Sequence, residues 1–214
     1  MTEENNARLD GKVAIVTGGG RGIGRGVVLK LASLGARVVV NDIGASLDGE
    51  GLDNTPAQQV VNEVGENGGQ AVANYGDVTK FETGDELVQQ ALDEFGRLDI
   101  VVTPAGILRD RMVFNMTEEE WDAVIAVHLK GTFNIVRAAS ILFRQQKSGR
   151  IITFSSVSGL FGASGQANYG AAKDGLAGFT RVVARDLAKY GVTANSISPG
   201  GDTRMTASVP DTTR

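Results

Sequence analysis

The sequence predicts an α/β fold: a single doubly wound parallel sheet with helices on both faces. Three observations predict it. Short β-branched runs alternate with helical stretches along nearly the whole chain. The runs are continuously apolar, which suits strands covered on both sides. Glycine-rich or polar turns follow several of the runs, at the strand ends where ligands of such sheets lie.

Residues 1–10 read as a polar leader and 11–214 as the folded domain. Residues 12–17 read as a buried strand and 21–34 as a helix, with Gly35 as its stop. Residues 37–41, with three consecutive valines, form the second strand, and 42–54, rich in Gly and Asp, a loop. A helix is expected from 55 to about 65, a third strand over 71–74, and a helix capped by Thr79 that runs to Phe95. Residues 99–103 read as the fourth strand. Thr117 followed by Glu120 is a capping box, expected to open one long helix. Trp121, Val124, Ile125, Leu129, Phe133 and Val136 should share a face of that helix. Residues 150–155 read as the fifth strand, 166–190 as a helix, and 193–198 as the sixth strand.

Composition narrows the function. At 42% apolar and 21% charged, the chain is ordinary for a globular protein, and 214 residues can bury one substantial core. A net charge of −4 argues against nucleic acid as a partner. Without cysteine and with one histidine, neither a disulfide framework nor a metal site is expected. No run reaches the roughly 18 apolar residues of a membrane span, so no membrane partner is expected and the expected compartment is cytoplasmic.

Residues 17–24 carry the spacing T-G-x-x-x-G-x-G between a strand and a helix. Gly18, Gly22 and Gly24 let the backbone approach a pyrophosphate, while Arg21 and Ile23 flank a helix start whose free N–H groups attract anions. Asp42 closes the second strand, where a carboxylate can accept ribose hydroxyls and repel a 2′-phosphate. NAD is therefore expected over NADP, although Arg21 pulls the other way. Asp77 and Val78 follow the third strand and would bracket an adenine; alternatively Asp77 caps a helix. Tyr169 and Lys173 stand four apart on one helical face. A phenol titrates near 10, and a neighbouring ammonium favours its ionised form, which would suit it to acid–base work. The plainer alternative is a half-buried aromatic beside a lysine that reaches for solvent.

Residues 17–24, Asp77, Ala105-Gly106, Ser156, Tyr169-x-x-x-Lys173 and Pro199-Gly200 together resemble the short-chain dehydrogenase/reductase family, over about residues 9–205. The resemblance implies a Rossmann-like NAD(P) fold and hydride transfer between a nicotinamide and a carbonyl or secondary alcohol. It implies that Tyr169 moves the alcohol proton, that Lys173 lowers the tyrosine's pKa and holds the nicotinamide ribose, and that Ser156 binds the substrate oxygen. The family's serine-to-tyrosine spacing selects Ser156 over Ser155. Ala105, Gly106, Pro199 and Gly200 join the cofactor-binding set by the same resemblance. Family members pair through the helices that begin near Thr117 and Gln166, so a homodimer or homotetramer is expected.

A narrower likeness lies in residues 39–44, 106–111, 127–131 and 204–206, which are similar to the (3R)-hydroxyacyl-CoA dehydrogenase unit of peroxisomal multifunctional enzyme type 2. It implies a small-molecule substrate of the 3-hydroxyacyl or 3-oxoacyl thioester class, such as an acyl-CoA. His128 stands where many members carry an asparagine that feeds a proton relay, so the resemblance adds it to the catalytic set; a lone histidine on a helix is more often structural.

Two departures favour a second class of function, a nucleotide-binding protein without turnover. Thr103-Pro104-Ala105-Gly106 stands where the family usually reads Asn-Asn-Ala-Gly. Proline gives no N–H to a sheet, so Pro104 is expected at the strand's end. The sequence also stops at Arg214, soon after Pro199, whereas relatives continue through a substrate-covering segment and a final strand. The C-terminal edge is therefore expected to be truncated.

Overall fold

A computed structural model describes residues 8–200. Among them, six strands form one parallel sheet in the order β3-β2-β1-β4-β5-β6. They are β1 (Val13–Thr17), β2 (Arg37–Asn41), β3 (Gln70–Asn74), β4 (Ile100–Thr103), β5 (Gly149–Phe154) and β6 (Val192–Ile197). The helices are α1 (Gly22–Ser33), α2 (Thr55–Glu66), α3 (Glu82–Phe95), α4 (Glu118–Ile125), α5 (Gly131–Gln146), α6 (Val157–Phe161) and α7 (Ala167–Leu187).

Successive strand residues face opposite sides of the sheet, so each strand feeds two cores. Val13 and Ile15 pack with Leu87 of α3 and with Ile135 and Phe143 of α5. Ala14 and Val16 pack with Val28 of α1 and with Val60 and Val64 of α2. This double burial is why the strands read as unbroken apolar runs. The strand β1 pairs with both β2 and β4. The chain reverses its order there, and a crevice opens beyond the carboxyl ends of β1 and β4.

Three details depart from the expectation. Thr79 does not cap α3, which starts three residues later at Glu82. Asp77 intervenes: its carboxylate accepts the Thr79 N–H at 2.9 Å, and its carbonyl accepts the Thr83 hydroxyl at 2.8 Å. The long helix is instead two helices joined by a π turn at Ala126–Lys130. The capping box at Thr117 and Glu120 forms as expected. The π turn adds a residue and so rotates the following face by roughly 100°. Val124 and Val136 are buried, but Trp121 and Phe133 lie outward, 40% and 42% exposed. The short helix α6, capped by the Ser156 hydroxyl, has no counterpart in the sequence reading. The likeness at 204–206 and the expected C-terminal truncation lie outside the described residues.

Candidate active site

A cleft runs over the carboxyl ends of β1, β2, β4 and β5. Of the residues singled out in the sequence, Gly18, Arg21, Gly22, Ile23, Gly24, Asp42, Asp77, Val78, Ala105, Gly106, His128, Tyr169, Lys173 and Pro199 line it. Gly200 is exposed and does not. Ser156 stands just outside the lining, against Tyr169.

The glycine loop is shaped by close backbone approach. Gly18 has φ +58, and a Cβ there would sit 2.7 Å from the Ala105 Cα. A Cβ on Gly24 would collide with the Gly18 carbonyl oxygen. The helix α1 opens at Arg21 with no side-chain cap and no acidic residue in its first turn. Its first N–H groups therefore face the cleft unpaired within the helix, and they carry the positive end of the dipole. A pyrophosphate fits such a cradle.

Asp42 is anchored beside this loop. Its two carboxylate oxygens accept the Gly20 N–H at 2.9 Å and the Gly44 N–H at 2.7 Å. Arg21 is engaged nearby. Its guanidinium donates to the Gly44 and Ala45 carbonyls at 3.3 and 3.0 Å and lies 3.8 Å from Asp53. Asn41, which sequence reasoning did not single out, donates to Asn74 and to the Gly76 carbonyl at 2.8 Å each, fixing the ends of β2 and β3. Its place beside Asp42 at a strand end was the available signal.

Pro104 follows β4 directly and lines the cleft, so no ladder hydrogen bond is lost to it. The preceding Thr103 hydroxyl is buried without a partner among the described residues. The ring of His128 stacks edge-on to Tyr169 at 5.2 Å and packs on Gly106, where any Cβ would overlap it. The π turn carries this ring into the core. Its Nε2 lies 2.8 Å from the Ile107 carbonyl and 3.1 Å from the Ile107 N–H, one contact or the other being made according to tautomer. Burial, reinforced by the Lys173 charge, pushes its pKa down to about 3, so the ring is neutral near pH 7.

The helix α7 brings Tyr169 and Lys173 to the cleft. Lys173 is 4% exposed, and its ammonium donates to the Phe154 carbonyl at 2.8 Å. Burial pushes its pKa down to about 7. The Tyr169 phenol is shifted opposite to expectation. Burial raises its pKa, the Ser156 hydroxyl opposes that rise, and the Asp110 charge adds to it. The reason is distance and placement: the Lys173 nitrogen sits 5.5 Å from the phenol ring centre and is spent on Phe154. The two serines also separate. Ser155 donates to the Lys173 carbonyl at 2.9 Å and braces α7, which leaves Ser156 as the hydroxyl beside the phenol. Asn168, missed in the sequence, is fully buried and donates to the Arg109 and Glu120 carbonyls at 2.9 Å each. It also accepts the Tyr169 N–H at 2.7 Å.

Among the described residues, no helix is long and apolar enough to cross a membrane. The family model described as short chain dehydrogenase matches residues 12–214. A peroxisomal hydratase-dehydrogenase-epimerase of Neurospora crassa is 50% identical over 202 residues, covering 94% of this chain and 22% of that protein. A hydroxyacyl-CoA dehydrogenase of Mycobacterium tuberculosis is 48% identical over 217 residues, covering 96% of this chain and 66% of that protein. A crystal structure of a short chain dehydrogenase from Mycobacterium avium superposes with a TM-score of 0.84 at 50% identity, covering 90% of this chain and 71% of that one. The chain thus spans less than a quarter of the multifunctional relative's length.

Proposed function

Because the chain belongs to the short-chain dehydrogenase family, whose members use a nicotinamide dinucleotide, we propose that it is an NAD-dependent oxidoreductase. It interconverts a secondary alcohol and a ketone, and its substrate is a 3-hydroxyacyl or 3-oxoacyl thioester. One observation carries this reading: the acid–base candidates Tyr169 and Lys173 line the same cleft as the glycine loop.

In this reading Gly18, Gly22, Ile23 and Gly24 hold the pyrophosphate on backbone N–H groups. Asp42 accepts the adenosine ribose hydroxyls, with Asp77 and Val78 beside the adenine. Ala105, Gly106 and Pro199 border the nicotinamide half, with Gly200 following Pro199 outside the cleft. The choice of NAD over NADP is supported by Asp42, which sets a negative charge at the ribose position. It is also supported by Arg21, whose guanidinium is already taken by carbonyls and Asp53.

When bound, the nicotinamide supplies or accepts a hydride. The protein manages the proton. Tyr169 gives its phenolic proton to the substrate oxygen in reduction and takes it back in oxidation. Ser156 hydrogen-bonds that oxygen and favours the phenolate. Lys173, with a pKa of about 7, can hold or release a proton at working pH and resupply the phenol. His128, neutral and fully enclosed, fixes the Ile107 backbone and the edge of the Tyr169 ring.

The thioester assignment is supported by the relative named a hydroxyacyl-CoA dehydrogenase. It is supported as well by apolar side chains exposed on two segments near Tyr169: Val113 and Phe114 on one, Leu160 and Phe161 on the other. The Arg111–Gln166 bridge lays the first of these segments against the start of α7. A homodimer or homotetramer is proposed on the exposed Phe133, Ile141 and Val182 of α5 and α7. The proposed compartment is the cytoplasm, since a chain without cysteine asks nothing of an oxidising one.

The test is an NADH titration followed by fluorescence, beside NADH consumption with acetoacetyl-CoA. Binding of NADH in preference to NADPH, with consumption on adding the thioester, is expected. Failure to bind either dinucleotide would end the reading.

A further inference from the structure

Residues 42–54 look from sequence like a solvated Gly/Asp loop, yet the structure gives 44–53 a defined course. At its base, Asp53 donates its N–H to the Ile43 carbonyl at 3.0 Å, and the Arg21 guanidinium holds the Gly44 and Ala45 carbonyls. At its tip, Ser46 and Glu50 close a turn: the Ser46 N–H and hydroxyl donate to the Glu50 carbonyl at 2.8 and 2.9 Å. The tip then reaches the opposite wall of the cleft. Leu108 donates its N–H to the Leu47 carbonyl at 2.9 Å, and Arg109 Nε donates to the Asp48 carbonyl at 2.8 Å. The Arg109 guanidinium also lies 3.6 Å from the Glu50 carboxylate. Gly49 approaches Ile107 so closely that a Cβ would meet the isoleucine at 3.0 Å. Ala45, Ser46, Leu47 and Gly49 line the same cleft as the glycine loop. The segment therefore bridges the cleft from the β2 side to the β4 side.

We infer that residues 44–53 are a strap that closes over the bound dinucleotide, and that Arg109 is the positioning residue that latches it. The inference rests on the dinucleotide assignment above. The base and the tip of the strap are bonded differently. The base is held by contacts within its own side of the cleft and by Arg21. The tip is held across the cleft by two hydrogen bonds, one exposed ion pair and one apolar contact. Exchange of a long ligand beneath the strap needs only the tip to part, and the Arg109 side chain makes two of its four contacts. The same residue's carbonyl accepts from Asn168, so truncating the side chain leaves the support of α7 in place.

The experiment measures NADH dissociation by stopped-flow fluorescence in wild type, Arg109→Ala and Arg109→Lys. Losing one net hydrogen bond should speed dissociation about fivefold in Arg109→Ala. Because the latch also forms without the dinucleotide, association should speed as well. The dinucleotide KM should then change less than the dissociation rate, and kcat should stay unchanged or rise. Arg109→Lys, which can still donate to the Asp48 carbonyl, should recover part of the slow release. Without any dinucleotide, amide exchange across residues 44–53 should be faster in Arg109→Ala than in wild type, a readout independent of turnover. Equal dissociation rates, or a loss of kcat with dissociation unchanged, would overturn the latch. A wild type that binds no dinucleotide would instead overturn the underlying assignment, and the strap with it.

Discussion

At the end of β2, Asp42 gives both carboxylate oxygens to backbone N–H groups, and Asn41 gives its amide to Asn74 and Gly76. Beyond β4 and β5 the polar groups are treated otherwise. Among the described residues the Thr103 hydroxyl and His128 Nδ1 are buried without partners, and Lys173 keeps one carbonyl for its ammonium. The first region, at the base of the strap, is a surface fixed by backbone geometry. The second encloses His128 and Lys173, whose protonation is decided by burial more than by pairing. The difference is the one expected between a part that binds and a part that reacts: satisfied donors give shape, and strained titration gives chemistry.

Lys173→Met should have the largest effect. Turnover should fall by roughly 10²–10⁴, while NADH binding through the β1–β2 side persists. Burial lowers the Lys173 pKa from 10.5 to about 7. Between those values the unfolded chain holds a proton that the folded chain has released, so this group makes stability rise with pH across that window. Urea midpoints measured from pH 7 to 10 should lose that slope in Lys173→Met. A retained slope would place the lysine in water.

His128 offers the next test, and as the sole histidine it gives a single NMR signal. With its pKa pushed down from 6.5 to about 3, the ring should not titrate between pH 8 and 5. The unfolded chain takes up this proton below 6.5 and the folded chain does not, so stability should drop as pH falls from 6.5 toward 3. His128→Gln should flatten that acid limb.

The binding half is probed by two glycines of α1. Gly24→Ala drives a Cβ into the Gly18 carbonyl, and overpacking there should cost about 1–3 kcal/mol and weaken NADH binding. Gly26→Ala, on the same helix with nothing within 4 Å, should instead stabilise by roughly 0.5–1 kcal/mol. Thermal melts of the pair check both signs. If both variants destabilise equally, the loop is not shaped by close approach.

Much of this was legible in the sequence, for stated reasons. The second strand reads to the residue because Val38, Val39 and Val40 have no other way to be buried. The glycine loop and Tyr169-x-x-x-Lys173 carry their spacing openly, and the narrower likeness to multifunctional-enzyme dehydrogenase units extends over 94% of the chain in the Neurospora crassa relative. What stayed hidden depends on contacts far apart in sequence. The π turn before Gly131 answers to His128 packing on Gly106, which no local periodicity records. The shift of the Tyr169 phenol is set by burial, while spacing shows only that a lysine is near. The strap looked like loop because its tip is held by Leu108 and Arg109, from another crossover. Pro104 was read correctly as a strand end because proline cannot serve the ladder.

The account turns on Tyr169 as the group that moves the substrate's proton. The direct measurement is Tyr169→Phe, assayed for NADH consumption with acetoacetyl-CoA and, separately, for NADH affinity. Turnover should fall by at least about 10² with affinity within about twofold of wild type. A Tyr169→Phe protein that turns over as fast as wild type would contradict the assignment.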